Sequence, residues 1–283
     1  MREKFLKFFI VVLILSVVGL GGYVVYDKYF NKEPIPPKTE KKEEKTENLD
    51  VTSKEVTSLF NNINKLSHAW TSKDYYGWLF KNDSLKVEDM SDELIVANAL
   101  YHVYADCLEN DLVCVEGSED EIGTTIIKAS EVKEKVNELF GDIEYKNSNT
   151  SSFDCGGKFT YNSDKDNYTA QAPACGYAGN SFATYDYGIT KALKKDKELD
   201  IYVKVAFKYF DFILETDEND NITQDNMHYI YTDFNRKNKI DEIEDRAYDF
   251  NEVLEKHGEL LPVYKLHFEN ENGKYHFKSI EKQ

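Results

Sequence analysis

The chain has 283 residues, 41% of them hydrophobic and 31% charged, a globular composition that excludes a wholly disordered, collagenous or multi-span membrane protein. Its 52 acidic against 35 basic side chains give a net charge of −17. A field of that sign repels a polyanion, so nucleic acid is excluded as a partner held through its phosphates.

Taken in chain order, Arg2, Lys4 and Lys7 precede a run from Phe8 to Tyr26 that contains no charged residue. As a helix this run is about 28 Å long, close to the hydrocarbon thickness of a bilayer. Tyr23, Tyr26 and Tyr29 suit the far interface, and the basic flank holds the N-terminus in the cytoplasm. The pattern predicts a cytoplasmic stub at 1–7, a signal-anchor helix at 8–29 with membrane lipid as its partner, and an extracytoplasmic remainder. The expected localisation is therefore the cell membrane, single-pass, with the C-terminal domain outside. A cleaved secretory signal ending near Gly19-Leu20-Gly21 is the competing reading, but the apolar run continues through Val24 and Val25. Either way the folded part is exported. Gly19, Gly21 and Gly22 also permit close packing against another membrane helix, as in a scaffold subunit.

Residues 30–50 are rich in Lys, Glu and Pro and nearly devoid of apolar side chains, so they predict a disordered spacer. Residues 1–30 hold four basic and two acidic groups and residues 31–50 five and six, which leaves −18 for residues 51–283. That acidity keeps an exported surface soluble; the functional alternative is attraction for cations or a cationic partner.

Residues 51–283 predict one α+β domain, helical over 51–145 and mainly β over 151–283. Val56, Leu59, Phe60, Ile63 and Leu66 repeat at helical spacing behind a Thr52/Ser53 cap. A second helix starts at Ser91 and runs to about Asp106, and a third runs from Ser130 to a stop at Gly141. The period then changes. Lys158 to Tyr161 and Tyr168 to Gln171 flank a turn-rich hairpin tip, and Ala183 to Lys191 is separated from Leu199 to Glu215 by polar residues. Ile201, Val203, Val205 and Phe207 alternate, then the pattern slips at Tyr209 and Phe210, which predicts a bulge or bend there. A strand at Met227 to Phe234, a helix from Asp241 to His257 and a closing hairpin around Asn270 to Gly273 complete the domain. Short helices followed by a bent antiparallel sheet suggest a cystatin-like or nuclear-transport-factor-like arrangement, by analogy only.

Four cysteines, all in the exported part, allow three pairings. The local one is expected, Cys107–Cys114 and Cys155–Cys175, because each pair brackets a turn. A zinc site is the alternative, but no C-x-x-C spacing occurs.

His267, His276 and Glu269 are placed by alternation on the outer face of the terminal hairpin, a solvated trio rather than a metal site. Asp217 to Asp225 resembles a calcium loop until Ile222 stands where Gly is needed and His228 where Glu is needed, so a hairpin turn is expected. No nucleophile elbow, zincin pair, phosphate loop or dinucleotide fingerprint is present, and no cofactor, metal or catalytic residue is assigned. Of the twenty tyrosines, Tyr177, Tyr185 and Tyr187 stand among Gly, Asn and Ser in a stretch that could present rings to sugar or peptide; filling a sheet with rings is the plainer alternative.

An apolar N-terminal run, a Lys/Glu/Pro spacer, an Arg-poor composition and the closing Tyr264-Lys265-Leu266-His267-Phe268 … Gly273-Lys274-Tyr275-His276-Phe277 hairpin resemble uncharacterised membrane-anchored cell-surface proteins of AT-rich Gram-positive bacteria. The resemblance implies an envelope location and assigns no activity or site residue. The expected function is a non-enzymatic, ligand- or protein-binding module at the cell envelope, its partner an envelope ligand or protein of unknown identity. The alternative from the enzyme class is an envelope hydrolase using Asp154, Asp186 or Asp211, which requires two of these acids to converge in one cleft.

Overall fold

The chain divides into residues 1–44 and residues 45–283, and the computed structural model describes residues 46–69, 74–109, 115–116, 124–153, 157–171, 182–216 and 222–283. The span Phe8 to Tyr26 therefore lies outside the described residues. Among those described, no helix is long and apolar enough to cross a membrane.

Three helices form where the 3.6-residue period predicts them. Helix α1 is Lys54–His68, its first turn capped by the Ser53 hydroxyl, which accepts from the Val56 N–H at 3.4 Å. Helix α2 is Asp92–Glu109, where Ser91 accepts from the Leu94 N–H at 3.2 Å. Helix α3 is Ala129–Phe140; the Glu131 carboxylate reaches back to the Lys128 N–H, and Gly141, at φ 83°, ends the helix in a backbone region that favours glycine.

The strands are β1 Thr46–Asn48, β2 Ser84–Lys86, β3 Val115–Glu116, β4 Thr124–Lys128, β5 Ser152–Phe153, β6 Gly157–Lys158, β7 Thr160–Asn162, β8 Asn167–Gln171, β9 Phe182–Lys195, β10 Glu198–Thr216, β11 Ile222–Tyr231, β12 Lys239–Glu244, β13 Val263–Glu271 and β14 Lys274–Lys282. All their pairings are antiparallel. The main sheet runs β1-β9-β10-β13-β14-β2, and β11 pairs with β10 and β12. The long β10 changes partner along one edge: Glu198 to Lys204 pairs with β13, and Phe207 to Thr216 pairs with β11. Between them the Val205 N–H donates to the carbonyl of Pro262, which itself has no N–H to offer.

Two turns follow the expected chemistry. Asn272 and Gly273 both have positive φ, 55° and 89°, as a two-residue hairpin of primed type requires. The tip joining β10 to β11 falls on 217–221, outside the described residues, but Thr216 opposite Ile222 gives a hairpin register.

The structure corrects the sequence expectations at several points. The spacer does not extend to residue 50, because Thr46 to Asn48 pair with Lys195 to Leu193 as an edge strand and the Leu49 N–H donates to Ala192. Asp241 to Glu244 is not helical: it forms β12 against Met227 to Ile230, and helix α4 is only Phe250–His257, started by Asp249, whose carboxylate accepts from the Asn251 N–H at 2.8 Å. The register shift between β9 and β10 sits at Tyr202/Val203, where Thr190 is the extra residue, and not at Tyr209/Phe210. Val205, Ala206, Phe207 and Lys208 are all buried, since β10 is covered on both faces at that point. A further correction concerns a member of the tyrosine surface and is taken up with the site.

One face of the sheet carries the main core. Phe60, Ile63 and Leu66 of α1, Val96 and Leu100 of α2, and Val132, Val136 and Phe140 of α3 meet Leu199, Ile201, Val203, Val205, Leu266, Phe268 and Phe277 of the strands, with Tyr168 from the smaller sheet. Each such side chain contributes about 1.5–3 kcal/mol when fully buried. Gly77, at φ 67°, lies against this core; a Cβ there would stand 2.2 Å from the Phe234 ring, so no larger residue fits. The opposite face carries a second, small cluster of Ala206, Ile230, Val253 and Leu261 under α4.

Candidate functional site

A cleft of about 660 Å³ opens between the terminal hairpin and the start of α2. A row of polar residues runs in register across four strands beside it: Asp200 of β10 is opposite His267 of β13, which is opposite Ser279 of β14, which is opposite Lys86 of β2. Residues directly opposite on neighbouring strands share a face. His267, Ser279 and Lys86 line the cleft with Glu269 and Lys278, while Asp92 and Glu144 form the facing wall. Asp92, Ile143 and Glu144 also border a neighbouring cleft of about 620 Å³ reaching toward Lys133 and Asn147.

Local pairs already use much of this charge. The His267 Nδ1 lies 2.7 Å from Asp200 Oδ1, and its Nε2 is 3.6 Å from Glu269. The hydrogen bond to Asp200 raises the His267 pKa; burial opposes it, and the charges of Asp200, Glu198 and Glu269 add to the rise. Lys278 holds Glu271 at 2.6 Å and lowers that carboxyl's pKa. Lys86 pairs with Glu88 at 3.1 Å, and Asp92 accepts from the Lys146 N–H at 3.1 Å.

Asp200, His267 and Ser279 standing side by side invite comparison with an acid–imidazole–hydroxyl relay. The acid–imidazole half is made. The structure shows no hydrogen bond between His267 Nε2 and the Ser279 hydroxyl, so the nucleophile–base couple that activation needs is not assembled. What the row presents instead is a set of donors and acceptors at one strand's spacing, with carboxylates on both walls, which suits a polar ligand held by hydrogen bonds.

The residues singled out in the sequence fall in different places. His267 and Glu269 meet at the cleft; His276, opposite Glu269 in register, does not line it but is buried and bonds through Nδ1 to the Glu138 carbonyl at 3.1 Å. Among the described residues no group of three His, Cys, Asp or Glu side chains could hold a metal ion. Each of the six histidines has a hydrogen-bond partner.

Tyr185 is a further correction. It is 0% exposed, with its hydroxyl donating to Asn64 at 2.7 Å inside the core, so it presents no surface. Its alternation in β9 points it into the core, where Phe80 and, at the end of α1, His68 pack edge-on against the ring. Tyr187 is half-buried beside Phe60, with its hydroxyl donating to Asn61 at 3.3 Å, and Tyr177 lies outside the described residues.

Of the proposed hydrolase acids, Asp154 is outside the described residues. Asp186 is opposite Ala206, on the α4 face, and is bound to Lys208 at 2.6 Å; Asp211 is an odd number of residues from Ala206 on β10 and so projects from the other face. The sheet separates these two carboxylates. Cys107 sits near the end of α2, while Cys114, Cys155 and Cys175 lie outside the described residues, as does the expected pairing that depends on them.

Sequence reasoning missed Lys86, Ser279 and Asp200 as a set. Nothing local marks them, because the row exists only once four strands are in register. Comparison with known protein families, with curated proteins and with solved structures finds no match for this chain.

Proposed function

We propose that the chain is a single-pass, membrane-anchored extracytoplasmic binding module, and that a polar envelope ligand occupies the cleft lined by His267, Ser279 and Lys86. The observation that carries the binding reading is the polar row in register beside a cleft of about 660 Å³, within the usual range of ligand sites. The uncharged run from Phe8 to Tyr26 behind Arg2, Lys4 and Lys7 supports the anchor and its orientation. Membrane lipid is then the partner of the first segment, and an envelope glycan or protein the partner of the domain. The exchange of β13 for β11 along one edge of β10 supports the finer likeness to a cystatin-like or nuclear-transport-factor-like sheet.

Two measurements test the proposal. In intact cells, protease added outside should remove the domain while the anchor stays in the membrane pellet after an alkaline wash; a domain protected from protease, or found in the soluble fraction, overturns the topology. For the cleft, thermal shift of the purified chain against fractionated envelope extract should find a stabilising fraction. Ser279→Trp, which fills the cleft, should abolish that shift while leaving the unliganded transition in place. A shift that survives Ser279→Trp places the ligand elsewhere.

A further inference from the structure

Outside the cleft, among the described residues, a cluster of titratable side chains lies around the segment from Asp245 to Gly258, on the face of the sheet that turns away from α1–α3. This segment contains a 3-10 turn at Asp245–Ala247 and helix α4, and it crosses β9, β10 and β11. Its backbone closes on itself: the Tyr248 N–H donates to Asp245, the Val253 N–H to Asp249, and the Leu260 N–H to His257. Among the described residues, no backbone hydrogen bond joins residues 245–258 to the sheet. The contacts that join it to the sheet run through side chains.

Those attachments are mostly polar. The Tyr248 hydroxyl donates to Asp186 of β9, and the same carboxylate is 2.6 Å from the ammonium of Lys208 on β10. That ammonium lies 4.2 Å from the Tyr248 ring centre, so one lysine holds both the acid and the ring. Burial, then the charge of Asp186, raises the Tyr248 pKa, so the hydroxyl stays a donor. His228 of β11 holds Asp245 at 2.7 Å, and its ring packs at a tilt against Tyr248 with ring centres 4.3 Å apart. At the far end Asp241 of β12 receives His257 at 2.7 Å and Lys256 at 2.9 Å, and Lys204 of β10 donates to the Gly258 carbonyl that ends α4.

The apolar contact beneath is small. Val253 meets Ala206 and Ile230, and Phe250 and Leu254 approach β9 only because Gly188 has no side chain: a Cβ there would be 3.1 Å from Leu254. One buried group is also unsatisfied, since His228 Nδ1 has no partner, and an orphaned buried polar atom destabilises the closed form. A segment with internal backbone bonds, external side-chain bonds and little buried apolar area has the makings of a local opening unit.

We propose that residues 245–258 form a lid that opens from the sheet as one body while the α1–α3 side stays folded, with Asp186 as its latch. Opening uncovers Lys204, Ala206, Lys208 and Phe210, which share one face of β10 at every second position. It leaves the main core intact, because Val203, Val205 and Phe207 point the other way.

The test is native-state hydrogen exchange on the full chain at neutral pH, read by mass spectrometry of peptides. Amides of α4 should exchange together and at least tenfold faster than those of α1 and α3. Asp186→Asn should speed the α4 amides a further tenfold or more and leave α1 and α3 unchanged. Asp245→Asn, at a more exposed attachment, should do the same by a smaller factor and serves if Asp186→Asn does not fold. Exchange of α4 at the rate of the main core, or equal acceleration of all helices by either variant, overturns the lid.

Discussion

The two faces of β10 are held in different ways. On the α1–α3 side, Leu199, Ile201, Val203, Val205 and Phe207 meet three helices and a layer of aromatic rings, and stability comes from area. On the α4 side, the alternate positions Lys204, Ala206 and Lys208 meet a short helix, and the contact is made chiefly by ammonium, imidazole, phenol and carboxylate groups. Area is non-directional and tolerates adjustment. Charged contacts depend on geometry, and losing one partner leaves the other buried and unpaired. One strand therefore supports both a permanent core and an element that can leave.

The sharpest way to break this comparison is to truncate one apolar side chain on each face. Phe60→Ala should cost about 3–5 kcal/mol, as large cavities in cores do. Val253→Ala should cost about 1–2 kcal/mol, the transfer cost of two methyl groups. Urea unfolding of both variants measures the difference, and equal losses would show that the α4 side is an ordinary core.

Next in size is a pH effect confined to the main core. His102 is 4% exposed and bonds to the Asn62 carbonyl at 2.7 Å; burial, reinforced by Lys65 and Lys135, lowers its pKa to about 4. A histidine whose folded pKa lies below its unfolded one contributes stability above pH ~6.5 and loses it as pH falls toward ~4. The loss is on the order of 3 kcal/mol. Unfolding free energy measured between pH 7 and pH 4 should fall less steeply in His102→Gln than in the parent chain.

Lys208→Met should cost about 2 kcal/mol, below the full value for breaking a buried pair because Asp186 is 28% exposed. Adding Asp186→Leu should recover most of it. A double variant no better than the single would mean that Tyr248, and not the ion pair, dominates the attachment.

At the cleft the pH sign reverses. His267 has a raised pKa, so its pairing with Asp200 is fully present below pH ~6.5 and is lost as pH rises through the folded value. With side chains 22% and 25% exposed, the pair is worth less than about 1 kcal/mol. His267→Gln should remove that alkaline loss and leave the acid limb set by His102 untouched. Smallest is Ser53→Ala at the α1 cap, about 0.5 kcal/mol, since its hydrogen bond to Val56 is long.

Particular residues show how far local pattern carries. Val56, Phe60, Ile63 and Leu66 announce α1 because a 3.6-residue period has one packing solution, and Asn272-Gly273 announces its hairpin because both residues tolerate positive φ. Ile243 and Ala247 fit a helical face equally well, yet Asp241 to Glu244 pairs with β11, since a sheet edge offered backbone partners that no sequence window contains. Lys204 and Lys208 carry the polar signature of a solvated face and are covered only because α4 returns over them. Tyr185 was legible as an aromatic strand residue; that it points inward follows from register with Phe207.

By itself the sequence determined what depends on neighbours within a few residues: the α+β class, the three early helices, the hairpin turns, the apolar run and the uneven division of charge. Tertiary structure alone decided the row Asp200–His267–Ser279–Lys86, the separation of Asp186 from Asp211 and the lid. These rest on strands distant in sequence coming into register, and a one-residue slip in any of them would turn each of those side chains to the other face.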